Sequence, residues 1–171
     1  SYLNLISQKK KYTPNKIILD CANGSLSHIA DKFFRTNTCE LITYGARPDG
    51  FNINHLCGST NISFLQEEVL KNQADIGFAF DGDGDRLIAV DSTGAILDGD
   101  DILYVIAKYM QNQDILNGGV IGTEMSNIGL EVALNDLEIA FVRTSVGDQN
   151  IIKKLHDLQW SLGGEPSGHI I

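Results

Sequence analysis

Residues 75–86 read DIGFAFDGDGDR, and the order of those letters decides the fold. Asp75–Phe80 is a short, mostly apolar run, the profile of a strand buried on both faces of a parallel sheet. It leads directly into Asp81, Asp83 and Asp85, separated by Gly82 and Gly84. Glycine lets the backbone turn tightly without a side chain in the way, so the three carboxylates can point at one spot. Two like charges about 4 Å apart repel by roughly 4 kcal/mol at an effective dielectric of about 20. A hard divalent cation removes that cost, and an all-oxygen donor set favours Mg²⁺, Mn²⁺ or Ca²⁺ over zinc. The carboxyl end of a parallel strand is also where open α/β sheets bind ligands. An ordinary acidic turn would explain one Asp-Gly, but not three aspartates in register after a buried strand.

Two other acidic loops can be tested against the same letters. An EF-hand needs Gly at its sixth position and Glu at its twelfth, where this chain has Arg86 and Ser92. Haloacid-dehalogenase-type phosphatases also open with a strand and Asp-x-Asp, but Asp85 stands where they carry a small hydroxyl residue. That reading is the runner-up, together with a non-catalytic metal-binding module.

Working outward, strands and helices alternate. On the N-terminal side, Ser1–Lys11 reads as a short helix stopped near Pro14, and Lys16–Asp20 as a buried strand. Ser27–Arg35 is a helix, Glu40–Tyr44 a strand, Gly45–Asn61 a long polar loop and Ser63–Lys71 a helix. On the C-terminal side, Leu87–Asp91 and Ala95–Leu97 form a hairpin across Ser92-Thr93-Gly94. The alternation then restarts: helix Asp101–Gln111, strand Gly119–Gly122, helix Asn127–Leu134, strand Glu138–Val142, helix Gln149–His156 and strand Trp160–Gly163. Ile170-Ile171 reads as the start of a further strand. The expected fold class is α/β, as two consecutive three-layer α/β/α units with mixed, mainly parallel sheets, the second incomplete. The boundary falls near residue 99, giving units 1–99 and 100–171.

Composition narrows the partners. With 13 Lys plus Arg against 22 Asp plus Glu, the net charge is −9. The single basic run is Lys9–Lys11, so no nucleic acid partner is expected. Cys21, Cys39 and Cys57 form neither a CxxC pair nor a metal spacing, which suits a reducing cytoplasm. No apolar run is long enough to cross a bilayer, so no membrane partner is expected either.

A second loop, Gly163-Gly164-Glu165-Pro166-Ser167-Gly168-His169, puts a carboxylate, a hydroxyl and an imidazole on one glycine-rich turn after a strand. Such a set can hold sugar hydroxyls. It is not a nucleophilic triad, because neither an orienting acid nor an elbow motif accompanies Ser167 and His169.

Taken together, Asp-Gly-Asp-Gly-Asp-Arg and Gly-Glu-x-Ser-Gly-His about eighty residues later resemble the α-D-phosphohexomutase superfamily. Asp20-Cys21-Ala22-Asn23-Gly24, Asn52-Ile53-Asn54 and Cys57-Gly58-Ser59-Thr60 are most similar to its phosphoglucosamine mutase branch. The resemblance implies a central piece of a four-domain isomerase. Residues 1–99 correspond to domain 2 with the tail of domain 1, and 100–171 to a truncated domain 3. Domains 1 and 4 of the same polypeptide, with their phosphoserine and phosphate-binding loop, are the implied partners, beside a phosphosugar substrate. By the same resemblance Asp81, Asp83 and Asp85 hold Mg²⁺, Arg86 is catalytic, and Glu165, Ser167 and His169 bind the sugar. The implied reaction interconverts glucosamine 6-phosphate and glucosamine 1-phosphate, an amino-sugar step toward peptidoglycan precursors. Phosphomannomutase or phosphoglucomutase activity is the alternative within the superfamily. Pro166 and Gln149 depart from the branch, which usually has a polar residue at the first position and Arg at the second.

Overall fold

Lys16–Asp20 (β1) is buried from its second residue to its last, as a continuous apolar run requires when both faces of its sheet are covered. The computed structural model describes residues 14–35 and 39–171, so the helix expected over Ser1–Lys11 lies outside the described residues. β1 pairs in parallel with Glu40–Tyr44 (β2) on one side and Ile76–Phe80 (β3) on the other, with Ile18 opposite both Ile42 and Gly77. Leu87–Asp91 (β4) and Ile96–Leu97 (β5) extend the sheet to the order β2-β1-β3-β4-β5. The connection from β3 to β4 is too short for a crossover, so the chain returns antiparallel there and the sheet is mixed.

Helices cover the two faces. Ala30–Phe34 (α1) sets Phe34 against Phe78 and Phe80, with ring centroids 5.4 Å and 6.4 Å apart. On the opposite face Ile62–Asn72 (α2) packs Leu65 and Val69 onto Ile18, Ala79 and Val90. Gly77 makes room for that contact, since a Cβ there would lie 2.5 Å from Val69 and 2.9 Å from Leu65.

The second sheet repeats the winding. Val120–Thr123 (β6) pairs in parallel with Phe141–Thr144 (β7) and Leu162–Gly163 (β8), in the order β7-β6-β8. Gly99–Asn112 (α3) and Ile128–Asp136 (α4) enclose a core of Leu103, Ala107, Val120, Leu130, Leu134, Ile139 and Leu162. Asp148–Leu158 (α5) covers the other face, with Ile151 against Gly163. The chain forms two compact units: the described residues up to Gly84 with Ala89–Ile96, and Asp85–Ile88 with Leu97–Ile171. Among the parallel strands of each sheet the middle one comes first and its neighbours are added on opposite sides. The switch point therefore lies at the carboxyl ends of β1 and β3, and of β6 and β8.

Several boundaries differ from the sequence reading for local reasons. The helix expected over Ser27–Arg35 is a 3₁₀ turn at Ser25–His28 followed by the short α1. Both the N–H and the hydroxyl of Ser27 bond the Gly24 carbonyl, which tightens the first turn. β7 starts at Phe141 rather than Glu138, and β8 at Leu162 rather than Trp160. In both places the residues are used to close the preceding helix. Glu138 and Gln159 take φ of 58° and 57°, and the N–H groups of Ile139 and Trp160 reach back to Leu134 and Leu155. Gln73 and Asp114 end α2 and α3 in the same way, a Schellman closure without glycine. Ile170-Ile171, expected to open a further strand, runs antiparallel beside β8, with Ile171 and Gly163 exchanging backbone bonds of 2.8 and 2.9 Å.

No helix among the described residues is long and apolar enough to cross a membrane. Leu65 is fully buried between α2 and the sheet. Leu65→Ala is expected to lower stability by about 2–5 kcal/mol in urea unfolding. A loss near zero would contradict the packing of α2 on this face.

Candidate functional site

The acidic loop begins where β3 ends. Asp81 is buried at the strand's carboxyl end, and its Oδ1 accepts the Gly84 N–H at 3.1 Å, closing the turn. One oxygen from each of Asp81, Asp83 and Asp85 lies within 4.8 Å of the others, with Asp83 and Asp85 exposed. Among the described residues this is the one cluster of three or more His, Cys, Asp or Glu with that spacing. Three converging carboxylates with no nitrogen or sulfur donor fit a hard divalent cation such as Mg²⁺.

The loop's path is fixed by its backbone. The Ser25 N–H bonds Gly82 O at 2.9 Å, the Ser25 hydroxyl bonds Asp83 O at 2.6 Å, and the Ser59 N–H bonds Phe80 O at 2.9 Å. Gly82 has no room for a Cβ, which would lie 2.7 Å from Ile53 and 2.8 Å from Asn54. Asn54 N–H bonds Ala22 O, and Asn23 reaches Asn52 O and Cys57 Sγ. The three segments that point to the branch in sequence, Asp20–Gly24, Asn52–Asn54 and Cys57–Thr60, thus meet around the acidic loop.

Sequence reasoning used Asp20 only as a letter of a branch-like segment and gave it no role in the site, yet it is fully buried in this cluster. Its signal is an acid at the end of an otherwise apolar strand. Burial pushes the Asp20 carboxyl above its ordinary value, opposed by the N–H groups of Gly58 and Ala22.

The second loop leaves β8 and is held on both sides. Gly164 N–H bonds Ile121 O, and Gly99 N–H bonds Pro166 O at 3.0 Å. A Cβ on Gly99 would collide with the Glu165 carbonyl, so this glycine lets the loop rest on the start of α3. The Asp98/Asp101 capping box fixes that helix start. Glu165 Oε1 accepts the Gly147 N–H at 3.0 Å, and Oε2 accepts the Ser167 hydroxyl at 3.3 Å. Gly147 does this at φ 121°, a conformation that glycine alone takes readily.

His169 Nδ1 lies 3.0 Å from Asp85 Oδ2, and His169 forms an antiparallel bridge with Arg86. Arg86 Nε is 3.9 Å from Asp85 Oδ1. Asp85, Arg86, Val146, Gly147, Asp148, Glu165 and His169 line a cleft of about 330 Å³, a size that suits a small ligand. The structure therefore brings Arg86, Glu165 and His169 to one cleft, while Ser167 stands outside its lining and bonds Glu165. The Val146–Asp148 segment, to which sequence reasoning gave no part, supplies the Glu165 support through Gly147.

The chain matches the family description "Phosphoglucomutase/phosphomannomutase, alpha/beta/alpha domain II" over residues 1–94 and "alpha/beta/alpha domain III" over residues 98–171. It is 53% identical over 156 residues to the phosphoglucosamine mutase of Pseudomonas paraeruginosa, covering 91% of this chain and 35% of that protein. The chain thus spans about a third of the length of the curated relatives it matches. A phosphoglucomutase/phosphomannomutase family protein from Burkholderia thailandensis superposes with a TM-score of 0.86 at 26% identity, over 99% of this chain and 38% of that one. The Aspergillus fumigatus N-acetylphosphoglucosamine mutase, solved with GlcNAc-6P and magnesium, shares the fold at a TM-score of 0.73 and 20% identity, over 98% of this chain and 38% of that one.

The thiols beside the acidic loop carry a pH signature. Burial, helped by the carboxylates of Asp20 and Asp31, pushes the Cys21 thiol up to about 11, and burial raises Cys57 as well. The folded chain then keeps the Cys21 proton that the unfolded chain loses, so this thiol draws stability down as pH rises from 9.0 through about 11. Cys21→Ala is expected to flatten that part of the stability curve, measured by urea unfolding at stepped pH. An unchanged slope would contradict the burial of the thiol.

Proposed function

Because the chain belongs to the phosphoglucomutase/phosphomannomutase family, we propose that the polypeptide carrying it interconverts glucosamine 6-phosphate and glucosamine 1-phosphate through a bisphosphate intermediate. The observation that carries this reading is the convergence of Asp81, Asp83 and Asp85 at the end of β3, in a chain 53% identical to an enzyme of that name. The Asp-x-Asp phosphatase reading has no comparable support. A cytoplasmic enzyme acting on soluble phosphosugars is the setting we infer.

In this account Asp81, Asp83 and Asp85 hold Mg²⁺, which supplies positive charge beside the phosphoryl group in transfer. Arg86 offers its planar guanidinium fork to phosphate oxygens. Glu165 has one oxygen fixed by Gly147 and the other by Ser167, and uses its remaining lone pairs for sugar hydroxyls. His169 donates to or accepts from a neighbouring hydroxyl. Fixed polar groups around a ring of hydroxyls allow the bisphosphate to be gripped in either of two orientations. The phosphoserine that gives and takes back the phosphoryl group belongs, in this reading, to a part of the relatives that these 171 residues do not span. The 171-residue chain alone is accordingly expected to be inactive.

The test is turnover of the full reading frame with Mg²⁺ on glucosamine, mannose and glucose phosphates. We expect preference for glucosamine phosphate, and loss of at least about a hundredfold in rate for Asp83→Ala, within the range for disrupted phosphoryl-transfer sites. Preference for mannose or glucose phosphate would overturn the substrate and leave the phosphotransfer reading. Turnover by the 171-residue chain alone, or full Mg²⁺-dependent activity in Asp83→Ala, would contradict the account itself.

A further inference from the structure

Asp20 closes β1 with a carboxylate that has no access to solvent. A buried carboxylate is costly unless its oxygens find donors. These two oxygens bond backbone N–H groups from two separate segments: Oδ1 accepts from Ala22 at 3.0 Å and Oδ2 from Gly58 at 2.6 Å. Gly45 closes in from a third side, where a Cβ would lie 2.6 Å from Oδ1 and 2.8 Å from the Ala22 nitrogen.

Each clamped segment leads, within three residues, to a hydrogen bond on the acidic loop. From Ala22 the chain passes through Asn23 and Gly24 to Ser25, whose N–H and hydroxyl hold the Gly82 and Asp83 carbonyls at 2.9 and 2.6 Å. From Gly58 it passes to Ser59, whose N–H holds the carbonyl of Phe80, the residue before Asp81. Ala22 and Asn23 sit at φ of 54° and 49°, in the left-handed region, which costs an alanine more than an asparagine.

We propose that Asp20 is a positioning residue for the acidic loop. Its carboxylate fixes the two backbone segments that hold the loop at Phe80 and at Gly82–Asp83, and so sets the loop's affinity for a divalent cation. The proposal rests on the reading of Asp81, Asp83 and Asp85 as ligands. Asparagine at this position keeps the shape but offers one acceptor where two N–H groups need one each.

Titration of the full reading frame with Mn²⁺, followed by electron paramagnetic resonance, reads the dissociation constant directly. Asp20→Asn is expected to weaken Mn²⁺ binding about 10- to 100-fold, the range for groups that orient metal ligands without touching the metal. The Mg²⁺ concentration for half-maximal turnover should rise by a similar factor, with the rate at saturating Mg²⁺ retained. A role in folding alone would lower the rate at every Mg²⁺ concentration and leave the half-maximal concentration in place, which overturns the proposal. Gly45→Ala presses on the carboxylate without removing it and is expected to weaken Mn²⁺ binding as well. It carries the test if Asp20→Asn does not fold. Wild-type Mn²⁺ affinity in folded Asp20→Asn, or in Gly45→Ala when that variant carries the test, overturns the proposal. Asp83→Ala binding Mn²⁺ as tightly as wild type is a separate result, which overturns the ligand reading beneath it.

Discussion

Bringing three carboxylates to within 4.8 Å of one another sets the constraint that the acidic loop and the backbone holding it are built around. Two like charges about 4 Å apart repel by roughly 1 kcal/mol in bulk water and roughly 4 kcal/mol at an effective dielectric of about 20, so even with Asp83 and Asp85 exposed the bare carboxylates favour a splayed loop. Resisting that repulsion takes a backbone held at several points. The loop has such points: its own Asp81–Gly84 turn, the carbonyls of Gly82 and Asp83 on Ser25, and the carbonyl of Phe80 on Ser59. Behind them lies a shell with left-handed residues at Ala22, Asn23, Asn54 and Leu56, conformations that only a well-bonded backbone sustains.

The two units solve the same placement problem with the same winding. In each, the first strand becomes the middle of the parallel set, the second is added on one side and the third on the other. The third strand then ends beside the first at the switch point, where two connections diverge and leave space for a ligand loop. The acidic loop follows β3 and the Glu165 loop follows β8, so topology alone places both at carboxyl ends. Local chemistry supplies the rest, with serine hydroxyls and amides behind the first loop and the α3 start behind the second. Asp85 and Arg86 belong to the same compact unit as Glu165 and His169, which accounts for their shared cleft.

Much of this was legible in the letters, for identifiable reasons. Buried parallel strands such as Lys16–Asp20 and Ile76–Phe80 announce themselves as apolar runs, and an Asp-Gly repeat after one of them marks a candidate ligand loop. Helix ends were harder to read. The four longer helices close on Gln73, Asp114, Glu138 and Gln159 in the left-handed conformation, where glycine is the usual signal. Ile139 and Trp160 consequently read as strand residues, although their N–H groups finish helices. The part proposed for Asp20 showed only as an acid at the end of an apolar strand, and the support that Gly147 gives Glu165 showed not at all. Each depends on backbone bonds to residues distant in sequence, Gly58 for the one and Glu165 for the other. Spacing carries no trace of such bonds.

The central claim is that Asp81, Asp83 and Asp85 form one divalent-cation site. The most direct measurement is anomalous diffraction from crystals of the full reading frame soaked in Mn²⁺, collected near the manganese edge. The account predicts a single strong anomalous peak bound by oxygens of all three aspartates, with the backbone of Phe80–Gly84 unmoved. A peak elsewhere, or none at these residues at saturating Mn²⁺, would contradict it.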